Sequence, residues 1–203
     1  FIGMTLKATP TMVTPSGVAG LRFADEADTA IALVAPLKAQ GADAIVVLIH
    51  EGAIPRAGDS DGRCTGLAGD LPPILDRLDP AIDVVVSGHT HRAYVCDYGQ
   101  INPSRPFLVT SAGQYGTLVT DIDLSIDLQS RRVVTKRADN RIVQGEAFTR
   151  GAERIALSPG HPQFQNDPVV DALVARYSAL AAAQAQRIVG PLTPPPTRPA
   201  PPG

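Results

Sequence analysis

Apolar positions along this chain fall into three kinds of run, and each kind predicts a different element. The first is continuous and β-branched: Ala44 to Ile49 reads AIVVLI, and residues 82–88 read IDVVVSG. Runs of this length, apolar on both faces, suit strands inside a parallel sheet that is covered on both sides. A helix is predicted before each of them. Asp25 to Gln40 carries apolar residues at Ile31, Val34, Ala35 and Leu37, with a break or kink expected at Pro36 and a stop at Gly41. A shorter helix is predicted from Pro73 to Leu78, after a loop at residues 51–66 rich in Gly, Asp and Arg. FIGMTL at the start reads as a further strand. Helix, strand, loop, helix, strand is the signature of a βα-layered sheet, with the two apolar strands running parallel.

The second kind of run alternates. DIDLSIDL switches strictly between polar and apolar, the mark of a half-buried antiparallel strand. RPFLVTSAG, TLVTDIDLSIDL and RRVVTKRADNRIV together predict an antiparallel region after His91, with Gln129-Ser130 as the tight turn between the last two. Residues 144–166 hold no period and read as loop. The third kind is a helical stripe of Val169, Val170, Leu173, Val174, Tyr177, Leu180 and Ala181. Asp167 is suited to its N-cap, Pro168 to its first turn, and Gly190-Pro191 to its end. Beyond it, residues 191–203 form a Pro-rich segment expected to be extended and unpacked.

Composition adds bounds. The chain has 203 residues, 44% hydrophobic and 19% charged, which predicts a packed core rather than disorder. A net charge of −2 without a basic run argues against nucleic acid or an acidic membrane as the main partner. No apolar run approaches the roughly 20 residues that span a bilayer. The start shows no basic segment, apolar segment and small-residue cleavage site of a secretory leader. It opens at Phe1 on a strand entered in mid-fold, so truncation upstream is expected, and the missing leader says little about location. Two cysteines, Cys64 and Cys96, are present and form no CxxC pair. From spacing alone they are equally well read as buried thiols or as a disulfide.

The chemistry-bearing residues are histidines. Of the four in the chain, His50 follows AIVVLI directly, and His89 and His91 follow IDVVVSG in Gly88-His89-Thr90-His91. In an open α/β sheet the carboxyl ends of the strands form the ligand-binding edge, so neighbouring strands would bring the three imidazoles together there. Neutral imidazole is the commonest protein ligand for zinc and also serves manganese and iron. Gly88 allows the backbone to turn sharply as its strand ends. A single histidine at a strand end is usually a surface residue, whereas a GHTH sequence behind a buried strand is much more specific. His161, in Gly160-His161-Pro162, reads as a surface loop residue without a ligand role.

An apolar strand ending in His, followed by VVVSGHTH, resembles the calcineurin-like metallophosphoesterases. FIGMTLKATPTMVTPSGVAGLRFADEADTA, IVVLIHEGA, DVVVSGHTHRAYVC and LVTSAGQYGTLVTDIDLSID extend the resemblance to secreted bacterial 5′-nucleotidases and 2′,3′-cyclic-nucleotide phosphodiesterases, over residues 1 to about 190. The resemblance implies an α/β fold, a partial metallophosphoesterase sandwich of parallel or mixed sheet with helices, then antiparallel strands. Residues 1–165 would be the C-terminal portion of that domain, 166–190 a linker helix and 191–203 the Pro-rich tail. It implies two divalent metal ions, zinc or manganese, with His50 and His89 on one and His91 on the other. The substrate implied is a nucleotide phosphate ester, and the location extracellular, periplasmic or at the cell wall. Cys64 and Cys96 occupy positions like those of secreted relatives, which implies a disulfide.

The departures from the family pattern matter as much. The Asp-x-His, Gly-Asp and Asn-His that precede this region in the family do not occur ahead of His50, and none of Asn102, Asn140 or Asn166 precedes a histidine. Three neutral imidazoles hold one divalent ion weakly and two hardly at all. An upstream half-domain and a downstream nucleotide-binding domain would be missing partners. The expectation is therefore a fragment of a dinuclear 5′-nucleotidase with little hydrolytic activity of its own. The alternative is a degenerate, non-catalytic binding domain, and a third, weaker one a mononuclear hydrolase using the three histidines with water.

Overall fold

The computed structural model describes residues 1–56, 64, 66–150 and 152–190, so the Pro-rich tail and half of the loop at residues 51–66 lie outside the described residues. The chain divides into two compact units, Phe1–Gln144 with Leu157–Pro162, and Gly145–Ala156 with Gln163–Gly203.

In the first unit the strands are β1 (Ile2–Met4), β2 (Val46–Ile49), β3 (Ile54–Pro55), β4 (Leu67–Ala68), β5 (Val84–Val86), β6 (Ala93–Asp97), β7 (Leu108–Ala112), β8 (Leu118–Asp127) and β9 (Arg132–Ile142). Its helices are α1 (Glu26–Ala39) and α2 (Leu71–Leu75). The main sheet has the order β1-β2-β5-β7-β6. Its first four strands are parallel, with Val46 opposite Val84 and Val84 opposite Leu108, and β6 returns antiparallel along β7. The two continuous apolar runs are thus parallel neighbours. The mixed α/β layering read from the sequence is the architecture found.

Successive strand residues point to opposite faces, and the register sorts them. Ile2, Val47, Ile49, Val85, Val109, Tyr94 and Cys96 lie on one face, in a core shared with Ala27, Ala30, Val34, Leu71, Leu75 and Leu78. The buried stripe of α1 is therefore Ala27, Ala30 and Val34, while Ile31 and Leu33 are 39% and 41% exposed. Small side chains on that stripe let the helix backbone approach the sheet. Asp25 caps α1, accepting the Asp28 N–H at 3.1 Å. The helix runs through Pro36 to Ala39 without stopping. Proline costs most in a helix interior, and here it sits in the last turn, where few bonds remain to be lost.

The opposite face carries Val84, Leu108 and Thr110, all buried, towards the β8–β9 hairpin, which packs on β6 and β7. The hairpin alternates as its sequence does, with Leu118, Thr120, Ile122 and Leu124 half-buried and their neighbours exposed. Asn140 on β9 donates to the Ser111 carbonyl at 2.9 Å and so ties the layers. Asp127 organises the hairpin turn, accepting from Gln129 N, Ser130 N and Ser130 Oγ. Burial on both faces, expected for β2, fails at Leu48, which is 41% exposed because the hairpin covers β6 and β7 rather than that part of the sheet.

Other expectations need correction. The second helix is Leu71–Leu75 rather than 73–78, because Pro72 and Pro73 are compatible with the first helical turn, where an N–H is not needed. The alternation does not single out β6 as a strand. In the second unit, residues expected to be loop contain the antiparallel pair β10 (Phe148–Arg150) and β11 (Glu153–Ile155). The helix α3 (Pro168–Ala185) starts as expected: Asp167 accepts from Val169 N at 2.8 Å and Val170 N at 3.1 Å. It ends at Ala185, before Gly190, and none of its residues is buried. No described helix is long and apolar enough to cross a membrane.

A local clasp links α1 to the segment after α2. Arg77 donates to Asp25 at 3.1 Å and to Asp28 at 2.5 Å. The Arg77 hydrogen bond, helped by the Asp28 N–H, lowers the Asp25 carboxyl from 3.8 to about 2. A depressed carboxylate contributes stability that is present above its unfolded value and lost as pH falls through its folded one. Arg77→Gln is therefore expected to lower stability slightly at neutral pH and to converge with the parent chain between pH 4 and 2. Urea melts across that range test it; a difference that persists at pH 2 would contradict the linkage.

Candidate functional site

The carboxyl ends of β2 and β5 are neighbours, and the histidines follow them directly. His50 N–H donates to the Met4 carbonyl at 3.1 Å, which carries the β1–β2 pairing one residue beyond the strand. Ser87 N–H donates to the Thr110 carbonyl at 2.8 Å, which does the same between β5 and β7. The imidazoles of His50 and His89 then meet edge to face, with ring centroids 5.2 Å apart. The His91 ring lies 6.1 Å from the ring of Tyr115, in the turn after β7. All three histidines are exposed. His161 lies in an exposed loop, its carbonyl accepting from Gln144 Nε2 at 2.9 Å.

Both GHTH histidines have left-handed backbones, with φ of 62° at His89 and 58° at His91. Across His89, Thr90 N–H donates back to the Gly88 carbonyl at 2.7 Å, the hydrogen-bond pattern of a γ-turn. A γ-turn with positive central φ is rare and strained. Such conformations persist where the surroundings over-determine them, and they cluster at functional sites.

The surroundings here consist of links between the two strand ends. Gly88 N–H donates to the Glu51 carbonyl at 3.1 Å, and Thr90 Oγ1 donates to the Ala53 carbonyl at 2.8 Å. Ala53 N–H donates to the Tyr94 hydroxyl at 3.1 Å, and that hydroxyl shares a hydrogen bond of 2.5 Å with Ser87 Oγ. Burial of Tyr94 pushes its phenol above the ordinary value, with the nearby Glu51 charge adding a smaller push, so it stays a neutral hydroxyl. Glu51 is itself buried, and Gly52 N–H donates to its carboxylate at 2.9 Å. Gly52 fits where nothing larger would: a Cβ there would lie 2.0 Å from the Gly88 carbonyl oxygen and 2.6 Å from Thr90 Oγ1.

A disulfide joins Cys64 to Cys96, with Cα atoms 4.9 Å apart. It anchors the far end of the segment that starts at His50 to β6, the strand that carries Tyr94.

The sequence points to the histidines and leaves Tyr94, Ser87, Gly52 and Tyr115 unmarked. The hydroxyls have no spacing signal, because their partners are backbone groups on other strands. Gly52, two residues after a strand-end histidine, is the available clue.

The residues fit a divalent metal in part. His50 and His89 are close enough to supply two ligands to one ion. No group of three or more metal-ligating side chains occurs among the described residues, so His91 is not gathered with them and no described carboxylate stands ready to offset the charge.

The fold is an α/β layered domain with histidines at the carboxyl edge of its main sheet, and that fold is shared with a solved structure. That structure is the "Putative 5'-Nucleotidase from Staphylococcus aureus in complex with alpha-ketoglutarate", matched with a TM-score of 0.54 and 18% identity over 88% of this chain and 31% of that one. No protein-family model matches the chain. In sequence it is similar to "Endonuclease YhcR" of Bacillus subtilis (strain 168), 29% identical over 139 residues, which is 68% of this chain and 10% of that protein. It is also similar to "Cell wall protein Lmo0130" of Listeria monocytogenes serovar 1/2a, 33% identical over 97 residues, 45% of this chain and 12% of that protein. The chain thus spans about a tenth of the length of the curated relatives it matches.

Proposed function

We propose that this chain is part of a metal-dependent phosphoesterase of the calcineurin-like, 5′-nucleotidase type, acting on phosphate esters of nucleotides outside the reducing cytosol. The observation that carries this reading is the His50–His89 pair, 5.2 Å apart at the carboxyl edge of neighbouring parallel strands. The similarity to an endonuclease and the fold shared with a 5′-nucleotidase support it, because both names describe cleavage of phosphate esters. The similarity to a cell wall protein and the Cys64–Cys96 bond support the location, since disulfides persist in oxidising compartments.

In this reading His50 and His89 hold one ion and His91 serves a second, with zinc or manganese as candidates. A divalent ion supplies polarisation of a phosphoryl oxygen and activation of water. The chain's own part is to fix the imidazoles. The Glu51–Gly88 and Ala53–Thr90 links set the spacing of the two strand ends, and Tyr94 with Ser87 holds them from beneath. Three neutral imidazoles bring no negative charge, so the chain alone is expected to bind metal weakly and to turn over little substrate.

Metal titration and a nucleotidase assay with added manganese or zinc test this. His50→Ala and His89→Ala should each reduce metal affinity by roughly tenfold or more, comparable to or beyond the loss of an outer-shell partner. Metal binding indifferent to both substitutions would remove the basis of the reading. Rapid turnover abolished by His89→Ala would keep the chemistry and overturn the weak-activity expectation.

The second reading, a non-catalytic binding domain of the same fold, is favoured by the lack of a three-ligand group among the described residues. It predicts no histidine-dependent metal binding at all.

A further inference from the structure

At the amino edge of the main sheet, opposite the histidines, the first unit holds a cavity of about 660 Å³. Its floor is made by segments that enter the strands, with Asp43 ahead of β2, Asp83 ahead of β5 and Pro106 ahead of β7. One wall is the turn of the β8–β9 hairpin and the start of β9.

That wall is pinned. Arg131 has φ of 54°, a backbone conformation that non-glycine residues seldom adopt and that the surroundings must enforce. Its side chain supplies the reason. Nε donates to Asp43 at 2.6 Å, and a terminal nitrogen donates to the Gly41 carbonyl at 2.7 Å. The hairpin tip is thereby clasped to the loop between α1 and β2, and the cavity keeps its shape.

The charges on its walls do not cancel. Four cations, Lys38, Arg131, Arg132 and Lys136, line it with three carboxylates, Asp43, Asp79 and Asp83. Arg131 neutralises Asp43, and Lys136, with a side chain 20% exposed, lies 3.5 Å from Asp83. Asp79 accepts the Ala81 N–H at 2.8 Å. Lys38 donates to the Asp43 carbonyl at 3.0 Å, whereas Arg132 has no hydrogen bond or ion pair among the described residues. One positive charge is in surplus, and one guanidinium fork has nothing to hold. Pro80, Ala81, Pro106 and Val133 give the rest of the lining an apolar character.

We infer that this cavity is a binding site for a small organic acid, a monocarboxylate on an apolar body, with Arg132 taking the carboxylate. One surplus charge matches a monoanion. A planar carboxylate meets a guanidinium through two parallel N–H···O bonds, a fit that arginine offers and lysine does not. A cavity of this volume, apolar over much of its lining with a few polar groups, suits a small organic molecule rather than a bare ion. The site is separate from the histidine edge and stands whether or not that edge is a phosphoesterase centre.

Calorimetry on the full, metal-free chain tests it with three probes: 3-phenylpropionate, the uncharged 3-phenylpropionamide, and inorganic phosphate. The acid should bind one to a chain and roughly 10- to 100-fold more tightly than the amide, the range that a hydrogen bond to a charged group supplies. Phosphate should not displace it. Arg132→Gln should remove most of the preference for the acid with an unchanged melting temperature, because that side chain holds nothing in the fold. His89→Ala should leave binding of the acid as it is. An acid that does not bind at millimolar concentration, or binds no better than the amide, overturns the inference, as does a preference that survives Arg132→Gln. Phosphate that competes on equal terms marks a site for bare anions and overturns it. Loss of the acid in His89→Ala puts the carboxylate at the histidine edge and overturns it too.

Discussion

Gly52→Ala is expected to destabilise the chain by about 3 kcal/mol and to separate His50 from His89. Forced overpacking ordinarily costs roughly 1–3 kcal/mol, and it reaches the upper end when neighbours cannot yield. Here the nearest atom is the Gly88 carbonyl oxygen, 2.0 Å from where the new Cβ would sit. It cannot step aside cheaply. The same residue's N–H is bonded to the Glu51 carbonyl, and its carbonyl receives the Thr90 N–H that closes the turn across His89. Relief therefore requires moving one histidine-bearing strand end away from the other. Urea melts give the stability, and cobalt(II) titration with its visible spectrum reports whether two imidazoles still reach one ion. A variant that melts within about 0.5 kcal/mol of the parent and gives the same cobalt spectrum would show that the two strand ends are not locked together. Thr90→Ser is the control: it keeps the hydroxyl that donates to Ala53 and should leave both measurements nearly unchanged.

The parts of the fold that can be read from sequence are those in which one physical constraint dominates. A strand buried in a parallel sheet must be apolar throughout, so AIVVLI and IDVVVSG announce themselves and prove adjacent. A hairpin packed on one side must alternate, as β8 does. Asp167 satisfies orphan N–H groups at the start of α3, and that requirement is local. Where tertiary context decides, the sequence is silent or misleading. β6 is five residues whose alternation, with Tyr94 and Cys96 buried between exposed ends, is too short to separate from a loop. The apolar pattern assigns the stripe of α1 to its larger residues, whereas close packing on the sheet selects Ala27 and Ala30. The site divides in the same way. His50, His89 and His91 stand out by residue type and strand-end position. The hydroxyl of Tyr94 does not, because it bonds Ala53 and Ser87, which only the sheet brings near it.

Removing the Cys64–Cys96 bond is expected to cost roughly 3–4 kcal/mol, the loop-entropy value for a closed loop of this size. The bond spans a sequence separation of 32, and that span contains β4, α2, β5 and the whole GHTH turn. Cys96 is fully buried on β6, so the cross-link is fixed at one end by the core and at the other by the segment leaving His50. Two residues before Cys96 on the same strand stands Tyr94, whose hydroxyl takes the Ala53 N–H. Loss of the bond should therefore be felt at the site as well as in the melt. Reduction with dithiothreitol, or a Cys64→Ala/Cys96→Ala pair, should lower the urea midpoint and weaken metal binding together. Buried Cys96→Ser adds the cost of an unsatisfied hydroxyl, which makes the alanine pair the cleaner comparison. Stability that falls while any histidine-dependent metal binding stays unchanged would show that the disulfide braces the sheet but not the histidine edge. Stability that does not fall would show that the loop is held without it, through the β3–β4 pairing of Ile54 with Ala68 and Pro55 with Leu67.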